Sequence, residues 1–77
     1  MRSYVFPAVV EKDGDAWRAY VPGQEEKGMA TWGKSQDEAL RNLQEVVQMV
    51  VEDLLDGGEP VPPSVTVLDQ PAIAVNI

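Results

Sequence analysis

Residues 35–57 read SQDEALRNLQEVVQMVVEDLLDG, and the spacing of their apolar side chains predicts one long amphipathic helix. At about 100° per residue, these apolar side chains fall within one stripe roughly 140° wide, and the opposite face is polar. The stripe comprises Ala39, Leu40, Leu43, Val46, Val47, Val50, Val51 and Leu54. A helix with this pattern lies on a hydrophobic core, so the rest of the chain is expected to supply the surface that it covers.

Boundary signals stand at both ends of this helix. Ser35 is followed three residues later by Glu38, which forms a capping box in which both side chains accept hydrogen bonds from unpaired backbone N–H groups. Gly57 is expected to end the helix in the left-handed conformation, which glycine adopts without steric strain. Pro60 and Pro62 then prevent the helix from resuming.

Short β-prone segments precede and follow the helix. We expect strands at residues 4–12 (YVFPAVVEK), 16–21 (AWRAYV), 29–32 (MATW) and 72–77 (AIAVNI), and brief pairing at residues 65–68. Alternation along the second strand places Trp17, Ala19 and Val21 on one face, which is expected to be packed, and Arg18 and Tyr20 on the other, wetter face. Asp13-Gly14 supplies the positive φ angles of a tight turn between the first two strands. Pro7 leaves two alternatives for the first strand, because it cannot donate a ladder hydrogen bond. Either pairing begins after Pro7, or the first half of the strand is edge-like or bulged.

The resulting order, β-β-β-α-β, predicts an α+β fold with one helix on one face of a four-stranded, mainly antiparallel sheet. Three strands joined by short loops form a meander. If the helix returns the last strand beside and parallel to the first, the sheet order is 3-2-1-4. Residues 1–77 are expected to form one domain. The first strand is apolar on both alternations, so a second copy or a partner protein is expected to cover the outer face of the sheet.

The composition indicates a small acidic protein. The chain has 77 residues, with 13 acidic and six basic side chains and a formal net charge of −7. This charge repels the phosphate backbone of nucleic acids, so direct nucleic-acid binding is not expected. It attracts a basic protein partner, or it serves only solubility. A chain this short buries only about 60–65% of its unfolded surface, so a homo-oligomer, either dimer or tetramer, is expected to add stability.

The residue inventory is poor in catalytic groups. With no cysteine and no histidine, acid–base or nucleophilic chemistry would depend on carboxylates, hydroxyls or lysines, which form no recognisable constellation. The ribonuclease H fold has a similar order of elements, and catalysis by its enzymes depends on carboxylates that project from the strands around metal ions. At the centre of the first strand, residues 6–9 (FPAV) offer none. We therefore expect no enzyme activity, no cofactor and no metal site. The sequence has no leader pattern and no apolar run of about 20 residues, which favours a cytoplasmic protein.

Four motifs together resemble those of HicB-like antitoxins. They are YVFPAVVEKD at residues 4–13, Pro22-Gly23, Thr31-x-Gly33-x-Ser35-x-x-Glu38-Ala39-Leu40 at the helix start, and Gly58-Glu59-Pro60-Val61-Pro62 after the helix. The resemblance covers nearly the whole chain, with the motifs in the family's order. The chain departs from the pattern at Gln24, where the family has a cysteine, and it stops at Ile77, without the C-terminal DNA-binding segment of many members.

This resemblance implies a partial ribonuclease H-like fold and a non-catalytic antitoxin. Such a protein binds a small basic HicA-like toxin, which cleaves messenger RNA, and blocks its active histidine or its RNA surface. In this interpretation Glu11, Glu25 and Glu26 meet the basic surface, and Trp17 or Trp32 anchors the contact. The alternatives are a solvated surface for the carboxylates and core packing for the tryptophans. The alternative function is an orphan HicB-like oligomeric adaptor with no toxin.

Overall fold

The computed structural model describes residues 3–62 and 72–76. Their elements are β1 (Ser3–Pro7), β2 (Val9–Asp13), β3 (Ala16–Tyr20), a 3₁₀ turn (Glu25–Lys27), β4 (Ala30–Gly33), α1 (Gln36–Asp56) and β5 (Ala72–Asn76). The predicted α+β class is confirmed, with one α-helix in the described residues and antiparallel strand pairs. The brief pairing predicted at residues 65–68 and the predicted strand end at Ile77 lie outside the described residues.

The start of α1 agrees with the prediction from the sequence. Ser35 is the N-cap, and its hydroxyl oxygen accepts a hydrogen bond of 3.1 Å from the backbone N–H of Glu38. The Glu38 carboxylate accepts a hydrogen bond of 3.0 Å from the backbone N–H of Lys34, whereas a symmetrical capping box would use the N–H of Ser35. A side-chain cap of this kind contributes about 1 kcal/mol to stability.

The end of α1 corrects one prediction. Gly57 has φ −83° and is right-handed, so the left-handed residue is Gly58, with φ +69°. The Gly57 backbone N–H donates to the carbonyl of Asp53 at 3.0 Å, and the Gly58 N–H donates to the carbonyl of Leu55 at 3.2 Å. Because Gly57 and Gly58 are adjacent, Gly57 can keep the right-handed conformation of the helix while Gly58 takes the left-handed conformation that ends it.

The arrangement of the sheets differs from the prediction. The strand predicted at residues 4–12 is interrupted at Ala8, whose side chain is buried, so that it forms β1 and β2. β2, β3 and β4 form a three-stranded sheet, and β1 pairs with β5 in a two-stranded sheet. A single four-stranded sheet in the order 3-2-1-4 is therefore wrong. Pro7 gives the physical reason, because it has no N–H with which to continue the ladder.

The direction of the last strand also differs from the expectation. β5 runs antiparallel to β1, with Tyr4 opposite Val75 and Pro7 opposite Ala72. β5 does lie beside β1, as the 3-2-1-4 order predicted for the last strand.

The hydrophobic core lies between α1 and the inner faces of the sheets. Its buried residues are Phe6, Ala8, Ala19, Val21, Met29, Ala39, Leu43, Val47, Val51, Ile73 and Val75. The alternation predicted for β3 is confirmed, because Ala19 and Val21 are buried while Arg18 lies on the opposite face. The outer face of the three-stranded sheet therefore carries the alternate side chains, which on β3 are those of Arg18 and Tyr20.

Candidate protein-interaction site

A row of three side chains crosses the outer face of the three-stranded sheet. The register of β2 and β3 places Glu11 opposite Arg18, and the register of β3 and β4 places Arg18 opposite Trp32. Residues directly opposite each other share a face of the sheet, and so do residues two apart on one strand. Asp13 and Tyr20 therefore join the same face. We call Glu11, Asp13, Arg18, Tyr20 and Trp32 the outer cluster.

Arg18 occupies the centre of the outer cluster. Its Nη1 lies 3.5 Å from Oε1 of Glu11, and its guanidinium carbon lies 4.2 Å from the ring centre of Tyr20. The ring centre of Trp32 is farther away, at 5.9 Å. Each such contact contributes only about 0–1 kcal/mol at an exposed position. Together these contacts hold the guanidinium beside Glu11 and Tyr20.

Trp32 is an exposed aromatic side chain held in a defined orientation. Its indole N–H donates a hydrogen bond of 2.8 Å to Oδ2 of Asp13, although the two residues lie on strands that are not neighbours. Its backbone carbonyl accepts a hydrogen bond of 2.9 Å from the Asn42 side chain. Trp32 is 50% exposed, and Met49, on α1, is the other large hydrophobic side chain exposed in the described part of the chain. An ordered, half-exposed indole is typical of a protein-binding anchor.

Two of the five predicted partner-binding residues, Glu11 and Trp32, meet in the outer cluster. Trp17 does not join them. It lies on the other face of β3, where it packs against the core, and the Lys12 ammonium nitrogen lies 4.9 Å from its ring centre. The two tryptophans therefore occupy opposite faces of one sheet.

The other two predicted residues, Glu25 and Glu26, lie in the 3₁₀ turn between β3 and β4. Both are exposed. The Glu25 carboxylate accepts a hydrogen bond of 2.8 Å from the backbone N–H of Gly23, so it has a local structural role in the turn. Glu26 offers a carboxylate to solvent.

Three members of the outer cluster were not predicted as partner-binding residues, namely Asp13, Arg18 and Tyr20. The alternation of β3 already placed Arg18 and Tyr20 together on the outer side. Asp13 was interpreted only as a turn residue. The missing information was the register across three strands, which brings Asp13 within reach of Trp32.

The described residues offer little for other kinds of site. No group of three acidic side chains within residues 3–62 and 72–76 could hold a metal ion. A groove with a volume of about 450 Å³ lies between α1 and β5, lined by Asp37, Leu40, Arg41, Gln44, Ala72 and Ile73. None of the helices in this part of the chain combines the length and the apolar character that crossing a bilayer requires.

Comparison with known proteins finds a similar sequence in Helicobacter pylori. No family model matches the chain. A UPF0150 protein of Helicobacter pylori (strain J99) is 45% identical over 47 residues, which are 61% of this chain and 62% of that protein. The match thus spans somewhat less than two thirds of the relative's length.

Comparison with solved structures finds the same architecture in the N-terminal domain of the Burkholderia pseudomallei antitoxin HicB. The TM-score is 0.69 at 26% sequence identity, and the match covers 95% of this chain and 96% of that domain. The resemblance indicated by the sequence motifs is therefore confirmed.

Proposed function

We propose that this HicB-like chain is an antitoxin that binds a small, basic, RNA-cleaving toxin of the HicA-like kind and blocks its active surface. The observation that carries the proposal is the likeness to the Burkholderia pseudomallei antitoxin domain, which extends over 95% of the chain. A protein of this kind acts by occupying its partner, without a chemical step of its own. The absence of histidine and cysteine from the sequence is consistent with such a role.

The outer cluster is the surface that we assign to the toxin. Tryptophan, tyrosine and arginine are the residue types that most often contribute the largest share of binding energy at protein interfaces. Here Trp32, Tyr20 and Arg18 stand together on a sheet, which is more rigid than a loop. Because the hydrogen bond to Asp13 already orders the indole, binding costs less side-chain entropy.

Charge supports a basic partner. The whole chain has a net charge of −7, and the outer cluster contains two carboxylates, of Glu11 and Asp13, against one guanidinium. Such a surface attracts a cationic protein over about one Debye length, which accelerates association at low ionic strength. The carboxylates of Glu25 and Glu26 are proposed to contribute to this field from the edge of the contact. Trp17 is partly buried and packs against the core, which favours a core role for that side chain.

We further propose that the antitoxin is cytoplasmic, where its messenger-RNA-cleaving partner acts, and that it forms a homo-oligomer. The chain has only 77 residues, and its described part packs one α-helix against the strands. Its hydrophobic core is therefore small. Assembly with a second copy would add buried surface without requiring disulfides or metals.

The proposal is tested by isolating the tagged chain from its native host and weighing the proteins that co-elute. We expect a basic chain of the HicA-like kind, which cleaves RNA alone and loses that activity when one equivalent of this protein is added. We expect the dissociation constant of the complex to rise at least about tenfold between about 50 mM and 500 mM salt. Recovery of the protein's own oligomer alone, in repeated preparations, would contradict the proposal and favour an orphan adaptor.

A further inference from the structure

The outer cluster contains two pairs in which an aromatic ring and a carboxylate stand side by side. In the first pair, Tyr20 and Glu11 together hold the guanidinium of Arg18, at 4.2 Å from the ring centre and 3.5 Å from a carboxylate oxygen. The aromatic face attracts the cation, and the carboxylate supplies the opposite charge. The chain thus shows on its own surface how this combination of groups binds an arginine.

The second pair consists of Trp32 and Asp13, which are joined by the indole hydrogen bond of 2.8 Å. Three aromatic rings stand on β3 and β4, and cations cover two of them closely. Lys12 lies 4.9 Å from the ring centre of Trp17, and Arg18 lies 4.2 Å from that of Tyr20. Over Trp32 the nearest cation in the described part of the chain is Arg18 at 5.9 Å, close to the limit for such a contact. Half of the Trp32 side chain is open to solvent.

We propose that the Trp32–Asp13 pair receives an arginine side chain of the toxin, stacked on the indole and bonded to the carboxylate. This inference rests on the proposed function and names the chemical group that the surface recognises. The hydrogen bond from the indole uses Oδ2 of Asp13, so Oδ1 is the oxygen offered to the incoming guanidinium. Because the carboxylate is held at the edge of the ring, a guanidinium that stacks over this edge is within reach of its second oxygen.

The geometry selects arginine over lysine. A guanidinium is planar, stacks on aromatic rings and donates in its own plane, so it can use the ring and the carboxylate together. An ammonium group is a compact, strongly hydrated charge that gains less from a flat ring. The charge balance agrees, because Arg18 neutralises only one of the two carboxylates, Glu11 and Asp13. One negative charge is left for the partner, and a phosphate group would be repelled.

The first experiment uses small probes and the two indole N–H signals of the ¹⁵N-labelled protein. We expect N-acetyl-arginine amide to shift the Trp32 signal in a saturable way, with several-fold weaker binding of N-acetyl-lysine amide. Trp17 is the internal control, because Lys12 already covers its ring and its signal should stay unchanged. Equal responses of Trp32 to both amides, or no response to either, would overturn the inference.

The second experiment measures the toxin affinity of two matched variants. Asp13→Asn removes the charge of the pair, whereas Asp15→Asn removes the same charge two residues away, outside the outer cluster. We expect Asp13→Asn to raise the dissociation constant about tenfold and Asp15→Asn to raise it less than about twofold. Equal effects of the two variants would overturn this inference while leaving toxin binding itself established. A wild-type chain that binds no toxin would instead refute the proposed function.

Discussion

Replacing Gly33 with alanine is expected to lower the free energy of unfolding by about 2–3 kcal/mol. Gly33 is the last residue of β4, and α1 begins almost at once, so the strand passes directly under the first turn of the helix. A Cβ atom at this position would lie 2.5 Å from the backbone nitrogen of Ala39 and 2.9 Å from the carbonyl carbon of Glu38. These are backbone atoms of the helix, so neither can move aside without displacing α1.

Urea unfolding followed by circular dichroism measures this loss, with Gly57→Ala as the matched control. Gly57 is right-handed, and the nearest atom to an added Cβ there is 3.4 Å away. That variant should change stability by no more than about 0.5 kcal/mol. For a domain of this size the Gly33 variant should also melt roughly 10–20 °C lower. Similar stabilities for the two variants would show that β4 and α1 do not approach as closely as described.

Replacing Trp32 with alanine is expected to weaken toxin binding by about 100-fold, the effect typical of a central aromatic anchor. The variant removes the exposed ring and also the donor that orders the Asp13 carboxylate. Because Trp32 is 50% exposed, its loss should leave the fold intact. Titration calorimetry with the purified toxin measures the effect.

Met49→Ala is the control for this experiment. Met49 is 65% exposed and lies on α1, away from the outer cluster, so its truncation removes a similarly exposed apolar side chain. We expect a change in affinity of less than about twofold, since truncations outside a hot spot are nearly neutral. If Met49→Ala weakened binding as much as Trp32→Ala, the toxin would have to contact the helix as well.

The sequence was sufficient to predict α1, because its apolar stripe and its N-cap are local features. Ser35 caps the helix, and Leu43 and Val47 are buried, as their positions in the stripe predicted. The end of the helix was misplaced by one residue because either Gly57 or Gly58 could take the left-handed conformation. Gly33 belongs to the motif at the helix start, but its close approach to Ala39 is a tertiary contact that no local pattern reports.

The sheets were harder to predict, since strand direction and register depend on distant parts of the chain. Pro7 signalled a break or a bulge, and the structure shows that the ladder is divided there into two sheets. The direction of β5 depends on the path between residues 57 and 72, about which alternation carries no information.

The outer cluster was predictable only in part. Alternation placed Arg18 and Tyr20 on the outer side of β3, and exposure of Trp32 was one of two alternatives. Which carboxylates meet them is decided by register, which the tight turn at Gly14 sets by pairing Asp13 with Ala16. A slip of one residue would place Lys12 on the outer face and Glu11 towards the core.

The central claim is that the toxin binds the outer face of the three-stranded sheet. Its most direct test is to record the indole N–H signals of Trp17 and Trp32 while the purified toxin is added to the ¹⁵N-labelled protein. The two rings lie on opposite faces of the same sheet, so one spectrum compares both faces. We predict that the Trp32 signal shifts and saturates at one equivalent of toxin while the Trp17 signal stays in place. A complex in which Trp32 is unchanged, or in which Trp17 alone responds, would contradict the claim.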